Sequence, residues 1–222
     1  VSPTAFDLPA DGIDDDCDGF DSCYFDGDGD GYGDDGGDTI GSMDADCSDA
    51  NESESDDDCD DNDPARNPGA TEIPGDIIDQ DCDGDELCFT DDDGDDYGTA
   101  VTVLTSDLTC SNAGLASVDG DCDDTDIGVN PGAIELVADE IDSDCDGSEL
   151  CFFDGDGDGF GASDGSTVSS GDASCADPGE STDSLDCDDG DPAVNPDAEE
   201  LTGDGIDGDC DGGELCYADA DL

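Results

Sequence analysis

The sequence predicts a mostly irregular, small-β fold: an extended tandem-repeat array of cation-binding loops stapled by disulfides, without EF-hand helices. Three observations lead there. An alternating-aspartate loop, Asp-x-Asp-x-Asp, recurs seven times in register. Fourteen cysteines recur at fixed offsets. No segment sustains the 3.6-residue apolar period of an amphipathic helix, so the helices that flank a true EF-hand loop are not expected.

The stretch from Ile141 to Gly161 holds two such loops back to back. The first places aspartates at 142, 144 and 146 before Gly147, and the second at 154, 156 and 158 before Gly159. Alternate aspartates turn their oxygens inward and the glycine takes a sharp turn, which is the first half of a calcium loop. The first loop recurs as Asp14, Asp16 and Asp18, as Asp79, Asp81 and Asp83, as the Asp142, Asp144 and Asp146 set, and as Asp207, Asp209 and Asp211. The second recurs as Asp26, Asp28 and Asp30, as Asp91, Asp93 and Asp95, and as Asp154, Asp156 and Asp158. Asp96 replaces the glycine in one copy, so strain is expected in that turn. A half copy stands at Asp219 and Asp221.

No glutamate occupies the twelfth position of the first loop, where Phe25, Thr90 and Phe153 stand. The thirteenth is Asp26, Asp91 or Asp154, which also opens the second loop. The expectation is that this carboxylate bridges ions of neighbouring loops in a row.

Bulk composition sharpens the reading. The formal net charge is −70, with Arg66 the single base among 222 residues. Leu, Ile, Val and Phe together stay below the roughly 20% at which a highly charged chain reads as disordered. Disorder is opposed by the regular alternation of acids with glycine and by the cysteine register. Such a charge excludes nucleic acid and anionic membrane as direct partners, because phosphate binding needs Lys and Arg. No stretch reaches the roughly 18 apolar residues of a membrane span. No signal peptide is visible, so an exported chain is read as a mature or internal segment. Zinc is disfavoured by the lack of His and of any CxxC pair, and aspartates beside the cysteines raise thiol pKa values.

Self-similarity organises the chain. Cys17, Cys82, Cys145 and Cys210 share the context DCDG at intervals of 63 to 65 residues. The expected units are 1–70, 71–133, 134–198 and a partial repeat at 199–222. The three full units carry the first loop, the second loop, a variable Ser/Thr/Gly-rich spacer and a third acidic segment, DCDDxDPxxNPGAxE. The spacer of the second repeat contains Val101-Thr-Val-Leu104, a short strand by composition. The third segment offers Asp58, Asp60, Asp61, Asp63 and Glu72, then Asp121, Asp123, Asp124, Asp126 and Glu135, then Asp186, Asp188, Asp189, Asp191 and Glu200. Its Asp-Pro and Asn-Pro steps are turn chemistry.

Spacing leaves cysteine connectivity open. The pairing expected here is Cys23–Cys47, Cys59–Cys82, Cys88–Cys110, Cys122–Cys145, Cys151–Cys175 and Cys187–Cys210, with Cys17 and Cys216 left over. A head-to-tail Cys17–Cys216 bond between copies is then expected, because the chain starts inside an NPGAxE segment and stops inside a second loop. The aromatics Phe25, Tyr32, Phe89, Tyr97, Phe153 and Phe160 flank the loops and suit a small local core. Asn51-Glu-Ser53 matches a glycosylation sequon.

The run from Asp58 to Gly84, DCDDNDPARNPGATEIPGDIIDQDCDG, resembles the bacterial MopE-type metal-binding repeat. FTDDDGDDYG, TCSNAGLASVDGDCDD and VNPGAIE resemble it too, and the likeness covers nearly the whole chain. The acidic loops are also similar in logic to thrombospondin type 3 repeats. The resemblance implies divalent metal binding and an extracellular or cell-surface location. Two departures matter. Family members often carry a cysteine before the first loop, where Pro74, Ala138 and Thr202 stand here. The name-giving member is associated with copper, yet this chain has no His, no Trp and one Met, Met43, so the ligands copper prefers are missing.

The seven alternating loops and three DCDDxDP segments suggest about ten calcium ions. The functional expectation is a calcium-stabilised structural protein, a stalk or head-to-tail fibre at the cell surface. Sequestration of calcium or another metal, and adhesion through the variable spacers, are the alternatives. Catalysis is not expected, because the chain offers no ordinary general base beyond carboxylates.

Overall fold

The computed structural model describes residues 2–3, 5–44 and 46–218. They fall into two compact units, Val1–Asp119 and Gly120–Leu222. Among the described residues there is no helix, and so none long and apolar enough to cross a membrane. Regular structure consists of short strands in small sheets, and the irregular acidic loops lie between them.

One motif recurs three times. In the first unit β1 (Asp21–Phe25) lies between β2 (Thr39–Ser42) and β3 (Glu52–Ser53), antiparallel to both. Also in the first unit, β4 (Glu86–Thr90) lies between β6 (Thr102–Thr105) and β7 (Leu115–Ala116). There β5 (Tyr97–Gly98) and β8 (Val118–Asp119) add a parallel pair. The second unit repeats the motif with β9 (Glu149–Phe153) between β10 (Thr167–Ser170) and β11 (Glu180–Ser181). The strand expected at 101–104 is β6, shifted by one residue.

Each central strand alternates with the period of two that a pleated strand imposes. Its buried face carries the opening acid, Asp21, Glu86 or Glu149, and the cysteine two residues on, Cys23, Cys88 or Cys151. These cysteines bond to Cys47, Cys110 and Cys175 in the spacer. The second class of bond, Cys59–Cys82, Cys122–Cys145 and Cys187–Cys210, ties each third segment to the first loop of the following repeat. All six bonds are the pairs expected above. Six disulfides fit an oxidising compartment.

The interior is unlike an ordinary core. The largest fully buried side chains are Glu86, Glu149, Asp58 and Asp186, followed by Cys23, Cys88 and Cys151. Meanwhile Met43 and Ile134 are 87% and 83% exposed. Phe25 and Phe153 are also exposed, so the local aromatic core expected at the loops is thin. Hydrophobic burial therefore supplies little, and the disulfides hold the middle of each motif while carboxylates fill the rest.

Candidate metal sites

In the first loop the backbone wraps the opening aspartate. Gly147 N–H donates to Asp142 Oδ2 at 2.9 Å and Asp146 N–H to Oδ1 at 3.0 Å. Gly19 on Asp14, Gly84 on Asp79 and Gly212 on Asp207 repeat the first of these bonds at 3.0 Å. Each third aspartate in turn caps a later amide, as Asp146 does for Ser148 at 2.8 Å. Carboxylate oxygens of Asp14, Asp16 and Asp18 come within 4.8 Å of one another. The residue between the second and third aspartates is left-handed in every copy, Cys17, Cys82, Cys145 and Cys210 at φ 59°, 58°, 56° and 55°. A cysteine in that region is unusual, and in three copies a disulfide holds it there.

The expected glutamates stand behind this loop. Glu135 Oε2 accepts from Ser143 N–H at 2.9 Å and Asp144 N–H at 3.3 Å. Glu72 and Glu200 do the same for the 80–81 and 208–209 amides. In each case the other oxygen, Glu72 Oε2, Glu135 Oε1 or Glu200 Oε1, is buried without a hydrogen-bond donor.

The second loop follows the same logic with tighter geometry. Asp26 accepts from Gly29 N–H at 2.6 Å through Oδ1 and from Gly31 N–H at 3.0 Å through Oδ2. Asp154 repeats this with Gly157 and Gly159, and Asp91 with Gly94 and Asp96. Asp96 is left-handed at φ 77°, the non-glycine turn the sequence flagged.

The third segment folds onto the second loop. A parallel bridge joins Asp34 to Asp58, with Asp58 N–H donating to Gly33 O at 2.9 Å. Glycine is needed there, because a Cβ on Gly33 would lie 2.7 Å from the Ser55 carbonyl oxygen. The bridge from Ala162 to Asp186 is its counterpart. Oxygens of Asp26, Asp28 and Asp61 thereby come within 4.8 Å of one another, as do those of Asp28, Asp30 and Asp58. Asp28 belongs to both groups. Asp61 also accepts from Gly27 N–H at 2.6 Å, and Asp189 from Gly155 N–H at 2.7 Å. Asn67 donates to Asp30 Oδ2 at 2.7 Å and ties the NPG turn to the site.

Asp28 is thus the carboxylate common to two groups of close oxygens. Asp26 is not the bridge to the first loop that the sequence suggested, because β1 intervenes, five residues or roughly 16 Å of extended chain.

Burial and mutual repulsion act on the carboxylates of this cluster. Burial, with the Asp30, Asp28 and Asp61 charges adding to it, pushes the Asp58 carboxyl up to about 6. Burial also raises Asp186, helped by Asp158, Asp189 and Asp188, and raises Asp28 and Asp156. Oδ2 of Asp28, Asp58, Asp156, Asp158 and Asp186 is buried without a hydrogen-bond partner.

The remaining expected ligands differ in exposure and in bonding. Asp63, Asp126 and Asp191 are exposed and cap turns, accepting from Ala65, Gly128 and Ala193 N–H. Asp60 pairs with Arg66 at 2.8 Å. Asp123 and Asp188 are exposed. Asp81, Asp83, Asp209 and Asp211 keep their loop places, with Asp81 pushed up by burial and its neighbours. Tyr97 N–H donates to Asp95, and Asp121 is buried. Asp219 and Asp221 lie outside the described residues.

Sequence reasoning passed over the acids that open the central strands and those of the third strands. Glu86 and Glu149 are fully buried. Burial raises both, with Glu72 and Asp76 acting on Glu86, and Glu135 and Asp139 on Glu149. Glu52 Oε2 and Glu180 Oε2 are buried without partners, and Glu52 lines a cavity of about 580 Å³ over the first repeat's second loop. The signal available was an acid two residues before a cysteine in every repeat: DSC, then ELC three times.

A family model described as a putative metal-binding motif, the copper-binding MopE type, matches residues 1–22, 58–86, 121–149 and 186–214. The chain carries this MopE-type motif four times. Three of the matches run from the buried aspartate of the third segment, Asp58, Asp121 or Asp186, to the acid at the head of the next central strand register, Glu86, Glu149 or Glu214. The MopE-type windows leave out the second loops. No curated protein and no solved structure matches the chain. The chain is thus a disulfide-bonded repeat protein built on a metal-binding motif.

Proposed function

We propose that this MopE-type chain is a calcium-stabilised structural protein that works outside the cell, as a segment of a stalk or fibre. The observation that carries the reading is the interior: buried carboxylates without hydrogen-bond donors where other proteins place Leu and Ile. A buried ionised carboxylate is costly unless a partner compensates it. The single base, Arg66, is already engaged by Asp60. Cations are the partners left.

Calcium suits the ligand set best. It accepts six to eight oxygens in flexible geometry, whereas magnesium keeps its waters. Copper and zinc favour imidazole and thiolate, and here there is no His and twelve of the fourteen cysteines are in disulfides. At a free concentration tenfold above its dissociation constant, each ion adds about 1.4 kcal/mol to folding. The same reading makes the chain non-catalytic. Extracellular structural sites need only about 10⁻⁴ to 10⁻³ M affinity, and a sequestration protein would need far tighter ones. A calcium titration separates these two roles.

The test is chelation with disulfides intact. Small-angle scattering should show the chain expanding in chelator and contracting when calcium is restored, while magnesium at equal concentration restores less. An unchanged radius of gyration would sink the reading. Self-association is part of the proposal: Cys17 and Cys216 are exposed free thiols. A bond between them in different copies would give a ladder on non-reducing electrophoresis in calcium, and strict monomers would remove it.

A further inference from the structure

We infer that the glutamate of each ELC segment, Glu86, Glu149 or Glu214, closes the first-loop cation site, in the role an EF-hand gives its twelfth residue. The inference rests on the cation reading above and adds to it a ligand from outside the aspartate loop.

Strand alternation places this acid. It sits two residues before the buried cysteine of β4 and β9, on the same inward face. Glu86 and Glu149 are 0% and 1% exposed. Neither oxygen of Glu86 accepts a hydrogen bond; the Gly75 and Leu87 amides are near enough to temper its charge but do not meet it in bonding geometry. Glu149 accepts one bond, from Ala138 N–H to Oε1 at 3.0 Å, and its Oε2 is bare. Glu214 repeats this with Gly203 N–H at 2.8 Å, and its Oε2 is buried and bare.

Glu149 and Glu214 each share a cavity with loop aspartates. A cavity of about 160 Å³ is lined by Glu149, Glu135, Asp144 and Asp146. Its counterpart of about 170 Å³ is lined by Glu214, Glu200, Asp209 and Asp211. Two copies of the motif therefore build the same four-carboxylate chamber. Glu135 and Glu200 each bring a bare oxygen of their own, Oε1. Ser170 lies opposite Glu149 across the strands, but its hydroxyl donates to Ser174 O at 2.9 Å. Carboxylates this close repel unless a cation or protons intervene.

The alternative is a protonated glutamate with a purely structural role, and E149Q separates the two because glutamine mimics that form. The experiment is calcium titration and bound-metal analysis of the full 222-residue chain, beside D156N in a second loop. Wild type should bind its full complement. E149Q should bind one ion fewer, or bind it more weakly than the roughly 100-fold that loss of a merely supporting residue costs. D156N should weaken a different ion, so the double variant should show both losses. Scattering in chelator guards against misfolding: E149Q removes a buried charge and should be at least as compact as wild type there, yet less compact in calcium. The inference is overturned if E149Q binds the same number of ions with unchanged affinity. A wild-type chain that binds no calcium at millimolar concentration overturns the calcium reading itself.

Discussion

Asp58 shows at the scale of one residue what the fold requires. It is buried beside Asp28, Asp30 and Asp61, and its carboxyl is pushed up to about 6, above its ordinary value of 3.8. The cation-free folded state therefore holds a proton that the unfolded chain has released between those values. Stability from this group is full below the unfolded pKa and is lost as pH rises through about 6. Metal-free protein should accordingly melt higher at pH 4 than at pH 7, while calcium affinity should fall as pH drops below about 6, where protons compete. Melts in chelator that are flat from pH 7 to 4 would contradict this. Asp96 makes a second prediction. It holds φ 77° where the other second loops have glycine. Asp96→Gly should stabilise the second repeat by about 1 kcal/mol, seen as a higher melting temperature in calcium. Alternating aspartates made both loops legible in the sequence, because inward and outward positions alternate with the chain itself. Glu86 and Glu149 were not legible, because their inward aim comes from strand pleat and from packing against chain distant in sequence.

At the scale of the element, the three-stranded motif stands on a cystine. In β4, Cys88 is fully buried and bonds to Cys110, closing 22 residues around β6. With so little apolar burial, chain-entropy restriction carries much of the motif. Replacing both cysteines by alanine should cost about 3 kcal/mol and lower the denaturant midpoint in calcium. An unchanged midpoint would mean the loops alone hold the sheet. Recurring offsets restricted the cysteine pairing without fixing it, because spacing alone leaves connectivity open. The sheets were only partly readable. Val101 to Leu104 announced β6 by its β-branched residues, but Asp21-Ser-Cys-Tyr-Phe25 hides its alternation, since the buried positions are an acid and a cysteine. The pairing of the third segment with the second loop depends on the close approach at Gly33, which no local pattern reports.

At the scale of the whole molecule, charge decides between collapse and expansion. A net charge of −70 on 222 residues repels itself strongly, and one Arg66 offsets almost none of it. Calcium bound inside the loops as proposed, about ten ions, would offset less than a third of the −70, but would do so where the acids are densest, and the disulfides limit the remaining expansion. Without calcium, screening by salt is the remaining relief. The Debye length is about 30 Å at 0.01 M and about 8 Å at 0.15 M, so repulsion between loops fades over that range. The metal-free chain should therefore contract steadily as sodium chloride is raised from 0.01 to 0.15 M. The calcium-loaded chain should change less over the same range, since the loop acids are paired at contact distance where screening is weak. Scattering on both forms measures this directly. Equal salt responses of the two forms would mean that the bound ions do not neutralise the loops, and that the acids serve as a solvated surface.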